Sequence, residues 1–274
     1  PLLGVYIKDM LKNTNGKDID ASDWLNSIYK PTPTIIEAAQ ALYRGHNIDE
    51  ISRSDSGAIN LSETSSKIKE IIDDAKLHNK KAISFITGVP GAGKTLAGLN
   101  IANTWHDTEN SEHAVFLSGN GPLVDILREA LAREDVINAK KKGSTLSKAQ
   151  SISKAKSFIQ NIHHFRDAAL IGDKPPIEHV VIFDEAQRAW TEKQTSSFMK
   201  TKKGVIDFNK SEPEFLISVM DRHENWAVII CLIGGGQEIN KGEAGINEWF
   251  SSLSRSFPDW NIHVSDQLTD YEYT

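Results

Sequence analysis

A single cysteine, Cys231, is all the thiol chemistry that this 274-residue chain contains. One thiol excludes an internal disulfide framework and any metal cluster built on cysteines. It sits in the apolar run AVIICLIG, where a small buried core residue is expected. A reducing, cytoplasmic compartment is consistent with that usage. A long hydrophobic run is also missing: none approaches the roughly 20 residues that span a bilayer. The N-terminus, PLLGVYIKDM, has neither a basic leader nor a small-residue cleavage site, so no signal peptide is expected. It lacks an initiator Met as well, which fits a piece of a longer chain or numbering from an internal residue. Nor is there an excess of positive charge. The net charge of −6 gives no global basic signature for nucleic acid, although a local groove on an acidic protein can be positive. No internal repeat is visible. At 39% hydrophobic and 25% charged, the chain reads as an ordinary globular protein with room for one large domain, or a domain and an appendage.

What is present divides near residue 80. Residues 1–80 are mostly helical in pattern. Thr34 with Glu37 is a capping-box signal before IIEAAQALYR, with Pro31 and Pro33 at the entry and Gly45 as a stop. Ile68, Ile71, Ile72 and Ala75 have helical spacing. Between the two helical patterns, SRSDSGAINLSE reads as a polar loop. After Lys81 the pattern changes to short apolar runs, AISFITG, AVFLSG, VVIFDE and AVIICLIGG, alternating with helical segments such as KTLAGLNIANTW and LVDILREALA. That alternation predicts an α/β fold, a parallel sheet with helices on both faces, over residues 81–274. Ile246, Trp249, Phe250 and Leu253 form one face of a late helix and are expected to pack in the core. Two segments interrupt the alternation and look inserted: a Lys- and Ser-rich one at about 138–178, and another at about 191–212.

Residues 88–95 read GVPGAGKT, the pattern G-x-x-x-x-G-K-[ST], with an apolar strand before and a helix after. Gly88, Gly91 and Gly93 permit backbone conformations closed to other residues. Consecutive N–H groups can then turn inward and cradle phosphate oxygens at a helix N-terminus. Lys94 supplies a mobile positive charge for the β- and γ-phosphates, and Thr95 a hydroxyl for Mg²⁺. The expected nucleotide-contacting set is Gly88, Pro90, Gly91, Ala92, Gly93, Lys94, Thr95 and Leu96. The competing reading is a chance glycine-rich turn.

Further on, Asp184 and Glu185 end another strand of the same sheet. Ligands of such sheets bind at the carboxyl ends of the strands. Asp184 is therefore expected to hold Mg²⁺ with Thr95, and Glu185 to orient and deprotonate an attacking water. An exposed pair that merely ends a strand is the alternative. A kinase or a nucleotide switch usually needs no adjacent glutamate base, so the pair points to hydrolysis.

GVPGAGKT, VFLSGNGPLVDILREAL, IFDEAQRAW and IGGGQEINKGEAGINEW, in this order, resemble the first RecA-like motor lobe of superfamily 1 DNA/RNA helicases, and within them the bacterial Schlafen-like helicase family, a branch often described only as a domain of unknown function. The resemblance covers roughly residues 80–260. It implies a P-loop NTPase with ATP and Mg²⁺ as cofactors. Lys94, Glu185 and Gln237 would be catalytic, with Gln237 sensing the γ-phosphate through an amide that can both donate and accept. Gln187 would sit at the nucleotide and link it to the nucleic-acid-facing side. Ser118 and Asn120 would contact a nucleic-acid backbone. Single-stranded DNA or RNA and a second RecA-like lobe are the implied partners; no membrane is. The sequence departs from the family pattern in three places. Gly234, Gly235 and Gly236 run together where many relatives carry an acid. Gln40 is the one glutamine upstream of the loop, so preference for ATP rests on the family. The residues after 260, NIHVSDQLTDYEYT, are too few for a second lobe.

Candidate strand contacts lie in the 138–178 segment: Lys140, Lys141, Lys142, Lys148, Lys154, Lys156 and Arg166, with Phe158, His163, His164 and Phe165 interleaved. Charges could meet phosphates and aromatics could stack on bases; a solvated helical hairpin explains the same composition. His163 and His164 lack further ligands nearby, so metal is not expected there. Lys200, Lys202 and Lys203 form a second basic cluster, read as a solvated loop. The leading reading is a helicase-type ATPase lobe, weakly active alone. The rival is a nucleotide-gated interaction module that does not translocate. A small-molecule or protein kinase is a third, disfavoured by Glu185, Gln187 and the lack of an acceptor site.

Overall fold

A computed structural model of the chain describes residues 34–44, 55–88, 91–105, 113–234 and 243–264, together with Ser22 and Ile51. Contacts group Pro33–Thr274 as one compact unit and Pro1–Thr32 as another. Pro31, Pro33, Gly45, Pro90, Gly235, Gly236 and Gln237 lie outside the described residues.

Among the described residues, two helices with assigned bounds come first. Helix α1 (Ile35–Tyr43) starts at the expected capping box, with the Thr34 side chain accepting from the Glu37 N–H and the Glu37 side chain from the Thr34 N–H. Helix α2 (Asp55–His78) is longer than expected. The stretch SRSDSGAINLSE, read as a loop, is helical from Asp55 onward. Leu61 explains the difference: it is buried, and it continues the face made by Ile68, Ile72 and Ala75, so burial outweighs the local polar composition.

The remaining described elements alternate. Strand β1 (Lys81–Gly88) leads to α3 (Lys94–Thr104), and β2 (His113–Ser118) to α4 (Gly121–Lys141). Helix α5 (Lys148–Phe158), strand β3 (Ile159–Asn161) and helix α6 (Ile162–Ala169) come next, then β4 (Glu178–Phe183). A 3₁₀ turn (Ala186–Arg188), α7 (Glu192–Phe198), a π-helical turn (Met199–Lys203) and α8 (Glu212–Met220) lead to β5 (Ala227–Gly234). Helix α9 (Gly245–Ser256) and β6 (Asn261–His263) follow. The strands form one six-stranded sheet in the order β3-β2-β4-β5-β1-β6, and every pairing is parallel. The expected fold class is thus the one the chain adopts, and the four expected strands are all present. Strands β3 and β6 were not expected; three residues are too few to display a period.

Alternation along the strands divides the interior in two. Val228, Ile230 and Leu232 face a core closed by α1 to α5. Ile229, Cys231 and Ile233 face a second core, closed by Phe165, Phe215, Leu216, Trp249 and Leu253. Strand β5 is buried along its whole length, as befits a central strand of a parallel sheet covered on both faces. Cys231 is a buried free thiol, and Trp249 and Leu253 are core residues, both as expected. The Lys- and Ser-rich segment at 138–178, expected as an insertion, supplies β3 to the sheet and buries Phe158, Ile159 and Phe165. Its short strand pairs with β2 because its apolar residues have no other place to leave water.

Helix α3 approaches the sheet through Gly98. A Cβ there would lie 2.7 Å from Leu232, 3.0 Å from Ile182 and 3.1 Å from Phe116. Gly98→Ala should therefore destabilise the protein by about 1–3 kcal/mol through overpacking, outweighing the roughly 1 kcal/mol that alanine gains over glycine in a helix. Urea unfolding checks this; an unchanged or higher midpoint would contradict the close approach.

Candidate active site

The carboxyl ends of β1, β2, β4 and β5 lie side by side. Gly88 is paired with Gly234, and Leu117 and Cys231 flank Phe183. Three of the expected motifs are therefore delivered to one edge by register alone.

From β1 the chain enters the glycine-rich loop. Gly91 and Gly93 have φ of +82° and +85°, conformations that favour glycine; Gly88, expected with them, ends β1 without a left-handed φ, and a Cβ there would lie 3.3 Å from that of Ala92. Gly93 is the N-cap of α3, with no side-chain cap, so the first N–H groups of that helix remain for a ligand. A Cβ on Gly93 would come within 3.2 Å of Leu61, so α2 is packed directly behind the loop. Lys94 donates to the Gly88 carbonyl at 2.6 Å, a bond within the loop. Burial lowers its pKa, opposed by the charges of Glu185 and Asp184. Lys94, Thr95 and Leu96 form the first turn of α3, directly after the loop.

Thr95 then meets the acidic pair. Its hydroxyl donates to Asp184 Oδ1 at 3.2 Å, and the Ser118 hydroxyl donates to Asp184 Oδ2 at 3.3 Å. The Asp184 N–H donates to Leu117 O at 2.9 Å. Asp184 is thus oriented from both neighbouring segments. Burial, followed by the charge of Glu185, pushes its carboxyl up to about 6; the two hydroxyls and Lys94 act the other way. A buried carboxylate beside an aliphatic hydroxyl is the oxygen-donor chemistry that a hard divalent cation takes. Ser118, which the resemblance assigned to a nucleic-acid backbone, is instead 1% exposed and turned toward Asp184. Asn120 caps α4, accepting from the Leu123 N–H.

Glu185 has φ +54° and ψ +44°, left-handed for a residue with a side chain. That conformation costs roughly 1–2 kcal/mol and persists only where the surroundings impose it. Gln187 is fully buried. Its Nε2 donates to Glu185 Oε2 at 2.5 Å and its Oε1 accepts from the Gly234 N–H at 3.1 Å. It bridges the second acid to the end of β5. The Trp249 indole N–H donates to the Ala186 carbonyl at 2.9 Å. Beyond the acids lies a cleft of about 580 Å³, lined by Asn120, His163, Arg188, Trp190 and Glu243 among others.

Several residues of the 138–178 segment do not face that cleft. Arg166 is 1% exposed and pairs with Glu212 at 3.2 Å. Its guanidinium lies over the rings of Phe198 and Trp190, 4.4 and 5.2 Å from the centroids. Glu212 also accepts from the Trp190 N–H at 2.9 Å. Phe158 and Phe165 are core residues, so neither ring can stack on a base. Lys148 pairs with Glu129 and Lys154 with Asp135, while Lys140, Lys141, Lys142 and Lys156 are exposed. Lys203 pairs with Asp167 at 2.7 Å, and Lys200 and Lys202 are exposed. Among the described residues no group of His, Cys, Asp and Glu suited to a metal cluster is found, His163 and His164 included. Sequence reasoning missed Glu212 and the roles of Ser118, Trp249 and Arg166. A helix-face tryptophan and a glutamate in a polar stretch carry no local signal of a distant partner.

A family model described as Schlafen group 3, DNA/RNA helicase domain, matches residues 81–270. The chain belongs to that family, and its fold is an α/β fold built on a six-stranded, all-parallel sheet. No curated protein sequence matches it. Similar solved structures include the helicase domain of Hef from Pyrococcus furiosus, at 14% identity and a TM-score of 0.38, over 72% of this chain and 37% of that one. Another is the Drosophila ORC bound to DNA, at 12% identity and a TM-score of 0.32, over 95% of this chain and 54% of that one. The chain thus spans about a third to a half of the length of those structures.

The raised carboxyl of Asp184 has a consequence for stability. Its pKa rises from 3.8 to about 6 on folding, so the ionised form costs roughly 3 kcal/mol above pH 6, relieved as the pH falls toward 4. Asp184→Asn should raise the thermal midpoint of the ligand-free protein at pH 8, with the gain shrinking below pH 6 and gone near pH 4. A gain independent of pH would contradict it. Glu212→Ala leaves Arg166 buried without its carboxylate and should cost about 3–5 kcal/mol in urea unfolding; a loss below about 1 kcal/mol would show the pair to be dispensable.

Proposed function

We propose that this chain is the ATP-binding and ATP-hydrolysing motor lobe of a superfamily 1-like DNA/RNA helicase or translocase. The contact between Thr95 and Asp184 carries the reading: a hydroxyl beside the phosphate loop and a buried carboxylate two strands away converge where Mg²⁺ would sit. Backbone N–H groups of the loop at Gly91, Ala92 and Gly93 would hold the phosphates, with Gly88 and Pro90, which has no N–H to donate, shaping the loop beside them and Leu96 in the following turn. Lys94 would leave the Gly88 carbonyl for the β- and γ-oxygens. Bound Mg²⁺ would neutralise charge on those oxygens. Glu185 would prepare the attacking water, and Gln237 would read the γ-phosphate. Gln187, bonded to Glu185 and to the end of β5, suits a part that reports nucleotide state to the nucleic-acid side. Single-stranded DNA or RNA would be the track, with a second RecA-like lobe opposite. A reducing cytoplasm suits the one buried thiol.

A specific observation favours the rival reading, a nucleotide-gated interaction module. Phe158, Phe165 and Arg166 are buried and Lys148 and Lys154 are paired, so fewer groups face a strand than the composition implied.

ATPase assays with and without single-stranded DNA or RNA separate the two. The chain should hydrolyse Mg·ATP slowly, because an arginine brought by a second lobe is worth about 10³-fold or more. Lys94→Ala should reduce even that rate by about 100-fold, and an unchanged rate would remove the phosphate-loop assignment. Hydrolysis or nucleotide binding with no strand binding at all would support the interaction module. Fast, strand-stimulated turnover by this chain alone would contradict the need for a second lobe.

A further inference from the structure

We infer that Trp249 is a positioning residue for hydrolysis, holding Glu185 in its left-handed conformation through the Ala186 carbonyl. The inference rests on the reading of Glu185 as the group that prepares the attacking water.

A left-handed glutamate reverts unless something holds it. Three of its holds are local: the Arg188 N–H donates to Glu185 O at 2.9 Å, the Ala189 N–H to Ala186 O at 3.3 Å, and Arg188 Nε lies 3.8 Å from Glu185 Oε2. These close the 3₁₀ turn but do not tie it to the rest of the protein. Two others do. Gln187 ties the Glu185 carboxylate to Gly234 at the end of β5. Trp249, 63 residues away in sequence, ties the Ala186 carbonyl to α9. The indole is 1% exposed, and its ring lies 5.6 Å from that of Phe183. Its burial in the second core, against Phe183, holds the ring in place. The turn is therefore pinned from the two elements that flank residues 235–242, β5 through Gln187 and α9 through Trp249. Strand β5 is also paired with Gly88 at the start of the glycine-rich loop, so α9 is the element whose hold reaches the turn separately from that loop.

Removal of the N–H leaves Ala186 with only the weaker local bond, and the carboxylate loses its aim while Lys94, Thr95 and Asp184 stay in place. Trp249→Phe should lower kcat for Mg·ATP by about 10- to 100-fold, with KM and the affinity for a fluorescent ATP analogue within about twofold of wild type. Replacement of Trp249 by its benzothienyl analogue keeps the ring and removes only the N–H; it should give the same split if Phe disturbs folding. In a Glu185→Gln background, either change should have less than a twofold effect, because the group that it aims is already gone. A tryptophan that merely packs would lower stability but would not give this split. Multiplied effects in the Glu185→Gln background, or an unchanged kcat in both Trp249 variants, would overturn the inference. An unchanged kcat in Glu185→Gln alone would overturn the reading of Glu185 and the inference with it.

Discussion

Asp184 is a carboxylate buried at the tip of a central strand, and the site is arranged around the cost of keeping it there. Two hydroxyls, from Thr95 and Ser118, reach it from different segments, and its own N–H is bonded across to β2. Burial and the adjacent Glu185 still hold its carboxyl well above the usual range. Without a bound cation the arrangement is a liability, and a divalent ion would reverse it, because charge that repels in the free protein attracts once the ion is present.

That edge can exist only because the sheet below it is rigid. Strands β4 and β5 are apolar on both faces, each face closed by its own set of helices. Helix α3, after the glycine-rich loop, is brought close by Gly98, where a Cβ would lie 2.7 Å from Leu232. Side chains projecting from the strand ends inherit this rigidity, so contacts of three ångströms between residues nearly ninety apart in sequence can be maintained.

Behind the acid pair the protein places a buried ion pair between aromatic rings. Arg166 lies against Phe198 and Trp190 and joins Glu212, which in turn holds the backbone of Trp190. The segment that follows Asp184 and Glu185 is thereby locked to α6 and α8. An arginine and two aromatics in a Lys-rich stretch look, in one dimension, like a strand-binding surface. In three dimensions some of them are interior, which moves the question of nucleic-acid contact to the exposed lysines and to the cleft beside His163 and Trp190.

Much was legible in the sequence because it is local. The loop at Gly88–Thr95 is a run of adjacent residues whose backbone requirements are written in glycines, and Asp184 and Glu185 are adjacent at the end of an apolar run. Alternating strands and helices follow from hydrophobic period, which depends on near neighbours alone. The four long strands and the parallel class therefore follow from the sequence alone. What only the tertiary structure decided are choices among distant partners. Ser118 turned to Asp184 instead of outward, Arg166 went to Glu212 instead of to solvent, and Trp249 went to a particular carbonyl. Short β3 belongs with these, since Ile159 is buried only where the strand pairs beside β2. A sequence specifies which groups must leave water; which partner each one meets there is settled by the packing of the whole chain.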